Sequence, residues 1–200
     1  MSENNISDGS VSPPGSIQKF FRNGDIDTGT VPEDIWDGGG VYGGFALTTA
    51  QPLEALSDNA ADTAAGTGAR TLRITSLDDN FRPITQDITL NGVTPVALPS
   101  NGLRTYRAQV LTAGSNESNV GTITIRTTAG ATPALTTVAQ ILPDNGQTLM
   151  GIFTTEDGLD GSISRIQASM RQATAGSTAT VIIQTKDASI ANGAWATKHT

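Results

Sequence analysis

Two acidic stretches hold the side chains best placed by type to do chemistry: Asp78-Asp79-Asn80 and Glu156-Asp157-Gly158-Leu159-Asp160-Gly161. Carboxylates this close together are oxygen donors for calcium. Neither stretch has the twelve-residue spacing with a closing glutamate of a helix-loop-helix calcium site. Their Asp, Asn and Gly content is equally that of a tight turn. The stretch Ala65-Gly66-Thr67-Gly68-Ala69-Arg70 carries the glycines of a phosphate cradle. A Walker loop needs Gly-Lys-Ser/Thr opening a helix, and a dinucleotide fingerprint needs a third glycine and a helix. Here a β-branched alternation follows, so the expectation is a turn. His199, the single histidine, is the penultimate residue and a poor general base. There is no Gly-x-Ser-x-Gly elbow. No carboxylate pair is singled out for glycoside hydrolysis, which needs two held about 5–9.5 Å apart. The expectation is a protein that is not an enzyme, with no catalytic residue, cofactor or metal.

Composition narrows the class further. The chain has 200 residues, 36% hydrophobic and 16% charged, a size that suits one β-domain, or one domain with an arm. Gly, Thr, Ala, Ser and Asn make up the difference, which suits short strands and tight turns. With no cysteine, disulfides, thiolate metal sites and thiol nucleophiles are excluded. A net charge of −7 argues against nucleic acid as a partner, because phosphate neutralisation needs clustered Lys and Arg. No apolar run approaches the roughly 20 residues that span a bilayer, so no membrane partner is expected. The start, Met1-Ser2-Glu3-Asn4-Asn5, lacks the basic and hydrophobic parts of a secretory signal.

The elements that would position any site are strands. In Thr71-Leu72-Arg73-Ile74-Thr75-Ser76-Leu77, alternate residues are apolar, so Leu72, Ile74 and Ser76 share one face and Thr71, Arg73 and Thr75 the other. Asp78-Asp79-Asn80 is a turn, and Ile84, Ile88 and Leu90 rebuild the inward row. Asn91-Gly92 predicts a two-residue hairpin with Val93–Leu98 as its return strand and Pro95 at an edge. Strands are predicted over Pro52–Leu56, Leu103–Thr112, Val120–Thr128, Val138–Leu142, Thr148–Thr154 and Ser162–Met170. Thr178–Thr185 is the most apolar and is predicted to be central. Trp195–Thr200 reads as a last edge strand. No helical period exceeds two turns. The fold class is all-β, an antiparallel β-sandwich or jelly roll over residues 46–200 with one shared core.

Residues 1–45 read differently. Residues 1–16 are polar and rich in Gly, Pro and Ser. Ile17, Phe20, Phe21, Ile35, Trp36, Tyr42 and Phe45 then follow at wide, irregular spacing among glycines and acidic residues, without strand-like alternation. Aromatic anchors on such a backbone are a common way to build an interface. The expectation is an extended arm whose seven anchors contact a partner, and whose deletion leaves the sandwich folded. Sugar binding through exposed aromatics has little to stand on, since Trp36, Tyr42, Tyr106 and Trp195 are the only tryptophans and tyrosines.

A pattern of turns and strands adds a family. Asp62-Thr63-Ala64-Ala65-Gly66-Thr67-Gly68-Ala69-Arg70-Thr71, Leu77-Asp78 and Thr89-Leu90-Asn91-Gly92-Val93-Thr94-Pro95-Val96 occur in that order. Arg104-Thr105-Tyr106-Arg107-Ala108-Gln109-Val110, Ala113-Gly114-Ser115-Asn116 and Asn119-Val120-Gly121-Thr122-Ile123 follow. The pattern resembles structural proteins of tailed bacteriophages, best over residues 46–126. The resemblance implies a virion protein assembled in the host cytoplasm, a capsid decoration or cement protein. Its implied partners are the major capsid protein or other virion proteins and, as a homotrimer, further copies of itself. The alternatives are a tail, neck or fibre-base component, or a receptor- or glycan-binding module. The resemblance carries over no catalytic residue.

Overall fold

The computed structural model describes residues 34–158, 180–187 and 196–199. They fall into two compact units, one holding 34–158 and the other the remaining described residues. The larger unit is an antiparallel β-sandwich. Its first sheet places β1 (Leu53–Ser57) between β4 (Val96–Ala97) and β6 (Ile123–Thr127), with β7 (Thr137–Ile141) beyond β6. Its second sheet places β2 (Ala69–Leu77) between β3 (Pro83–Thr89) and β5 (Arg104–Ala113).

Period-two patterning drives the two sheets together. Ala55 faces Ile125 across the β1–β6 ladder, and Ile125 faces Ala139 across β6–β7. From the second sheet, Leu72 and Ile74 of β2 pair with Ile88 and Gln86 of β3, and Ile74 pairs with Ala108 of β5. Leu72, Ile74, Ala55, Ala108, Ile123, Ile125 and Ile141 are fully buried in one core. Thr71, Arg73 and Thr75 point away from it. Removing that much apolar surface from water, at about 25 cal/mol per Å², is the main force holding the sheets together. Gln86 is the polar member of the inward row. Its side-chain Nε2 donates to Ser100 O at 3.1 Å, and its Oε1 accepts from Ser100 N at 2.6 Å, so both amide atoms are satisfied.

Several elements differ from the sequence expectation. Asn91-Gly92 does not turn a hairpin: β3 stays in the second sheet while β4 joins the first, beside β1. The turn runs Asn91 to Thr94, with Thr94 N donating to Asn91 O at 3.1 Å. Gly92 has φ 59° and Asn91 is not in the left-handed region, whereas the expected turn needs positive φ at both positions. The ladder bonds that a return strand would make are taken by β1, whose Leu53 O accepts from Leu98 N at 2.8 Å. Pro95 sits just ahead of edge strand β4, where its missing N–H costs no ladder bond.

Thr148–Thr154 forms no strand, although Leu149, Met150 and Ile152 are buried. Thr148 N bonds to Ala108 O at 2.9 Å and Gly151 N to Ile35 O at 2.6 Å, so its partners change along its length and no ladder builds up. Among the described residues, the apolar run in Thr178–Thr185 is not flanked on both sides: its strand β8 (Ile183–Thr185) pairs with β9 (Ala196–His199) alone, and Val181 and Ile182 are exposed. A continuous apolar run carries no period that says whether strands flank it on both sides. These residues belong to the second unit. Ser162–Met170 and Trp195 lie outside the described residues. Among the described residues, no helix is long and apolar enough to cross a membrane.

Candidate functional site

The candidate interface residues resolve into different environments. Ile17, Phe20 and Phe21 lie outside the described residues. Trp36 and Tyr42 are buried within their own unit, 4% and 1% exposed, and form a small core with Met150, Ile152 and half-buried Phe45. The rings pack edge to face, Trp36 on Tyr42 at 5.2 Å and Tyr42 on Phe45 at 5.0 Å between centroids, the arrangement the ring quadrupoles favour. Trp36 and Tyr42 thus pack among residues of their own unit and are not displayed on an extended arm. Their irregular spacing reflects a looped segment packing without a ladder. Ile35 remains exposed.

Polar groups hold this segment in place. Tyr42 N donates to Asp34 Oδ2 at 2.7 Å, Trp36 Nε1 to Gly40 O at 3.2 Å, and Leu149 N to Asp37 Oδ2 at 2.9 Å. The Tyr42 hydroxyl donates to Thr105 O at 2.7 Å. Burial pushes the phenol well above its ordinary pKa, against the opposing pull of Arg104, so it stays a neutral donor. Arg104 is itself buried. Its Nη1 donates to Gly44 O at 2.8 Å, Leu47 O at 2.7 Å and Leu103 O at 3.1 Å, tying the 3-10 turn Gly43–Ala46 to β5. Burial lowers its pKa from the ordinary arginine value, and its Nε finds no partner. Arg104→Met keeps the apolar stem and removes the guanidinium from the carbonyls of Gly44, Leu47 and Leu103, of which Gly44 O keeps the N–H of Leu47. It should cost about 3 kcal/mol, measured as a shift in the urea midpoint; a cost below about 1 kcal/mol would show that the carbonyls reach water.

Asp78-Asp79-Asn80 and the glycine-rich Ala65–Gly68 are turns, and Leu159–Gly161 of the second acidic stretch lie outside the described residues. Asp78 Oδ1 accepts from Asn80 N at 2.8 Å and from Arg82 N at 2.9 Å, and Asp79 Oδ1 accepts from Ala50 N. In the supposed phosphate cradle, Gly66 N is bonded to Thr63 O, Gly68 N to Ala61 O and Ala69 N to Asp62 Oδ1, so these donors are already used. Asp62, 0% exposed, is the centre of that loop. Its Oδ1 accepts from Ala69 N at 2.7 Å and Val120 N at 2.9 Å, and its Oδ2 from Ser57 Oγ at 2.6 Å and Gly121 N at 2.8 Å. A Cβ on Gly68 would stand 2.1 Å from Asp62 Oδ1, which is why the loop needs glycine there. Among the described residues, no group of three His, Asp or Glu side chains is placed to hold a metal ion.

The remaining feature lies on the outer face of the second sheet. Arg73 and Thr75 of β2 stand opposite Gln109 and Arg107 of β5, and the four line a shallow, open depression of about 310 Å³. Arg73 donates from Nε to Asp87 Oδ1 at 2.8 Å and from Nη2 to Asp87 Oδ2 at 2.7 Å, a bidentate pair across β2–β3. Between Thr75 and Ser76 the register slips past Tyr106, whose ring packs edge to face on exposed Phe153 at 5.7 Å. The outward position of Arg73 and Thr75 was readable from alternation. Their meeting with Arg107 and Gln109 was not, because it depends on a register that turns of known type do not fix.

The Arg73–Asp87 pair gives a testable pH effect. The hydrogen bond from Arg73 holds the Asp87 carboxyl below its ordinary pKa. A lowered folded-state pKa contributes stability above the ordinary carboxylate range, and this is lost as pH falls through the folded value. Both partners are exposed, so the effect is small. Asp87→Asn should lower the thermal midpoint slightly at pH 7, and the gap to the parent should close as pH falls through the lowered value of Asp87. A gap that stays constant down to pH 2 would show that the pair contributes nothing through its charge.

No family model, no curated protein and no solved structure matches this chain.

Proposed function

We propose that this chain is a non-enzymatic structural protein of a tailed-bacteriophage particle, a decoration or cement protein on the head. One observation carries the reading. The residues that resemble phage structural proteins form the interlocked centre of the sandwich, where Asp62 joins the loop before β2 to the loop before β6. A cross-braced sandwich without disulfides suits a protein that must stay folded on a particle surface. In this reading the partners are the major capsid protein and further copies of the chain in a homotrimer. Exposed Ile35 is the described member of the expected contact set that stays available to them.

Quantitative mass spectrometry of purified particles tests this. A head protein should be present at hundreds of copies per particle. A dozen copies or fewer would move the chain to the tail, neck or fibre base, and absence from the particle would end the reading. Sedimentation of the purified protein at micromolar concentration should give a trimer, because a shared buried face adds stability by mass action; a stable monomer would count against it.

A further inference from the structure

We infer that the Arg73–Arg107 depression binds a sugar unit carrying a single carboxylate. This goes beyond a role in the particle and does not depend on it. Arg73 and Arg107 are diagonal neighbours on the β2–β5 pair, about 7–8 Å apart, with Thr75 and Gln109 at the other two corners. The two guanidiniums give this corner of the sheet an excess of positive charge over the one carboxylate beside it. Asp87 pairs with Arg73 alone, from the β3 side. It takes the Nε and Nη2 of the guanidinium, which leaves Nη1 for another acceptor. Among the described residues, no carboxylate pairs with Arg107. A carboxylate seated between the two guanidiniums would accept from Arg73 Nη1 and from the planar fork of Arg107, the geometry arginine favours.

The rest of the lining decides what carries that carboxylate. The Thr75 hydroxyl and the Gln109 amide each donate and accept, which matches sugar hydroxyls rather than an aliphatic stem. The depression, about 310 Å³ and open to solvent, leaves room beside a carboxylate for one ring lying on the sheet face. The chain's charge of −7 repels densely charged polymers. Within a Debye length of about 8 Å, Arg107 beside the Arg73–Asp87 pair leaves a net positive charge for a single anionic group. A mostly neutral, hydroxyl-rich ligand with one acidic group meets both conditions.

Titration of the full chain with sodium glucuronate and with glucose, at low ionic strength and followed by ligand-observed NMR, tests the assignment. Glucuronate should bind and glucose should bind at least about tenfold more weakly, the loss expected for one charge-assisted contact. Arg107→Gln should weaken glucuronate by about tenfold or more while leaving the thermal midpoint in place, since Arg107 is exposed. Asp87→Asn, which removes the competing carboxylate, should tighten it by about twofold to fivefold. Several results would overturn the proposal: no glucuronate binding, equal binding of glucose, or an unchanged affinity in Arg107→Gln. Displacement by equimolar acetate would show a bare anion site, and tighter binding of an acidic peptide would show a protein partner instead.

Discussion

Replacing Asp62 by alanine should bring the sandwich close to unfolding, with a loss of about 4 kcal/mol or more against the 5–15 kcal/mol that holds a typical domain together. The carboxylate accepts from three backbone N–H groups and one hydroxyl, and all four donors are left without a partner when it is removed. Asp62→Asn is the sharper test because it keeps the shape. With the amide nitrogen in the Oδ1 position, it faces the N–H groups of Ala69 and Val120 at once. In the Oδ2 position it faces Gly121 N, but the Ser57 hydroxyl can turn to accept from it. The second orientation leaves one donor clash, so Asp62→Asn should cost about 2 kcal/mol, half the alanine value or less. Urea unfolding followed by circular dichroism gives both numbers. If both variants fall within 1 kcal/mol of the parent, the carboxylate is not the brace described.

A chain that begins at residue 46 should lose about 3–5 kcal/mol of stability, reversing the expectation that the first 45 residues are dispensable to the fold. The truncation removes Trp36 and Tyr42, buried aromatic side chains of the second small core, and exposes Met150 and Ile152. It also takes Gly44 O from Arg104, leaving that buried cation with fewer acceptors. Single substitutions separate the contributions. Tyr42→Ala should cost about 3–5 kcal/mol through the cavity it leaves. Tyr42→Phe keeps the ring and loses only the bond to Thr105 O, and should cost about 1–2 kcal/mol. An unchanged urea midpoint in Tyr42→Ala would restore the segment to the status of a detachable arm.

Alternation in the sequence was enough to determine the inward rows of β2 and β3, because a strand has only two faces and Leu72, Ile74, Ile88 and Leu90 all fall on one. It also determined the turns at Asp78-Asp79-Asn80 and Ala65–Arg70, where side-chain and glycine chemistry act within a few residues. Only the tertiary structure decided where β4 goes, since a turn signal at Asn91-Gly92 reverses the chain without choosing the sheet that receives it. It decided the fate of Trp36 and Tyr42 as well. An irregular aromatic segment looks the same in sequence whether it reaches for a neighbour or closes over its own Met150 and Ile152, and here the second outcome satisfies both rings and their polar atoms. Asp62 was invisible as a brace because its four donors come from Ser57, Ala69, Val120 and Gly121, the last nearly sixty residues away. The depression formed by Arg73 and Arg107 depends in the same way on a β2–β5 register that slips at Tyr106, and long-range pairing of that kind is set by packing rather than by local sequence.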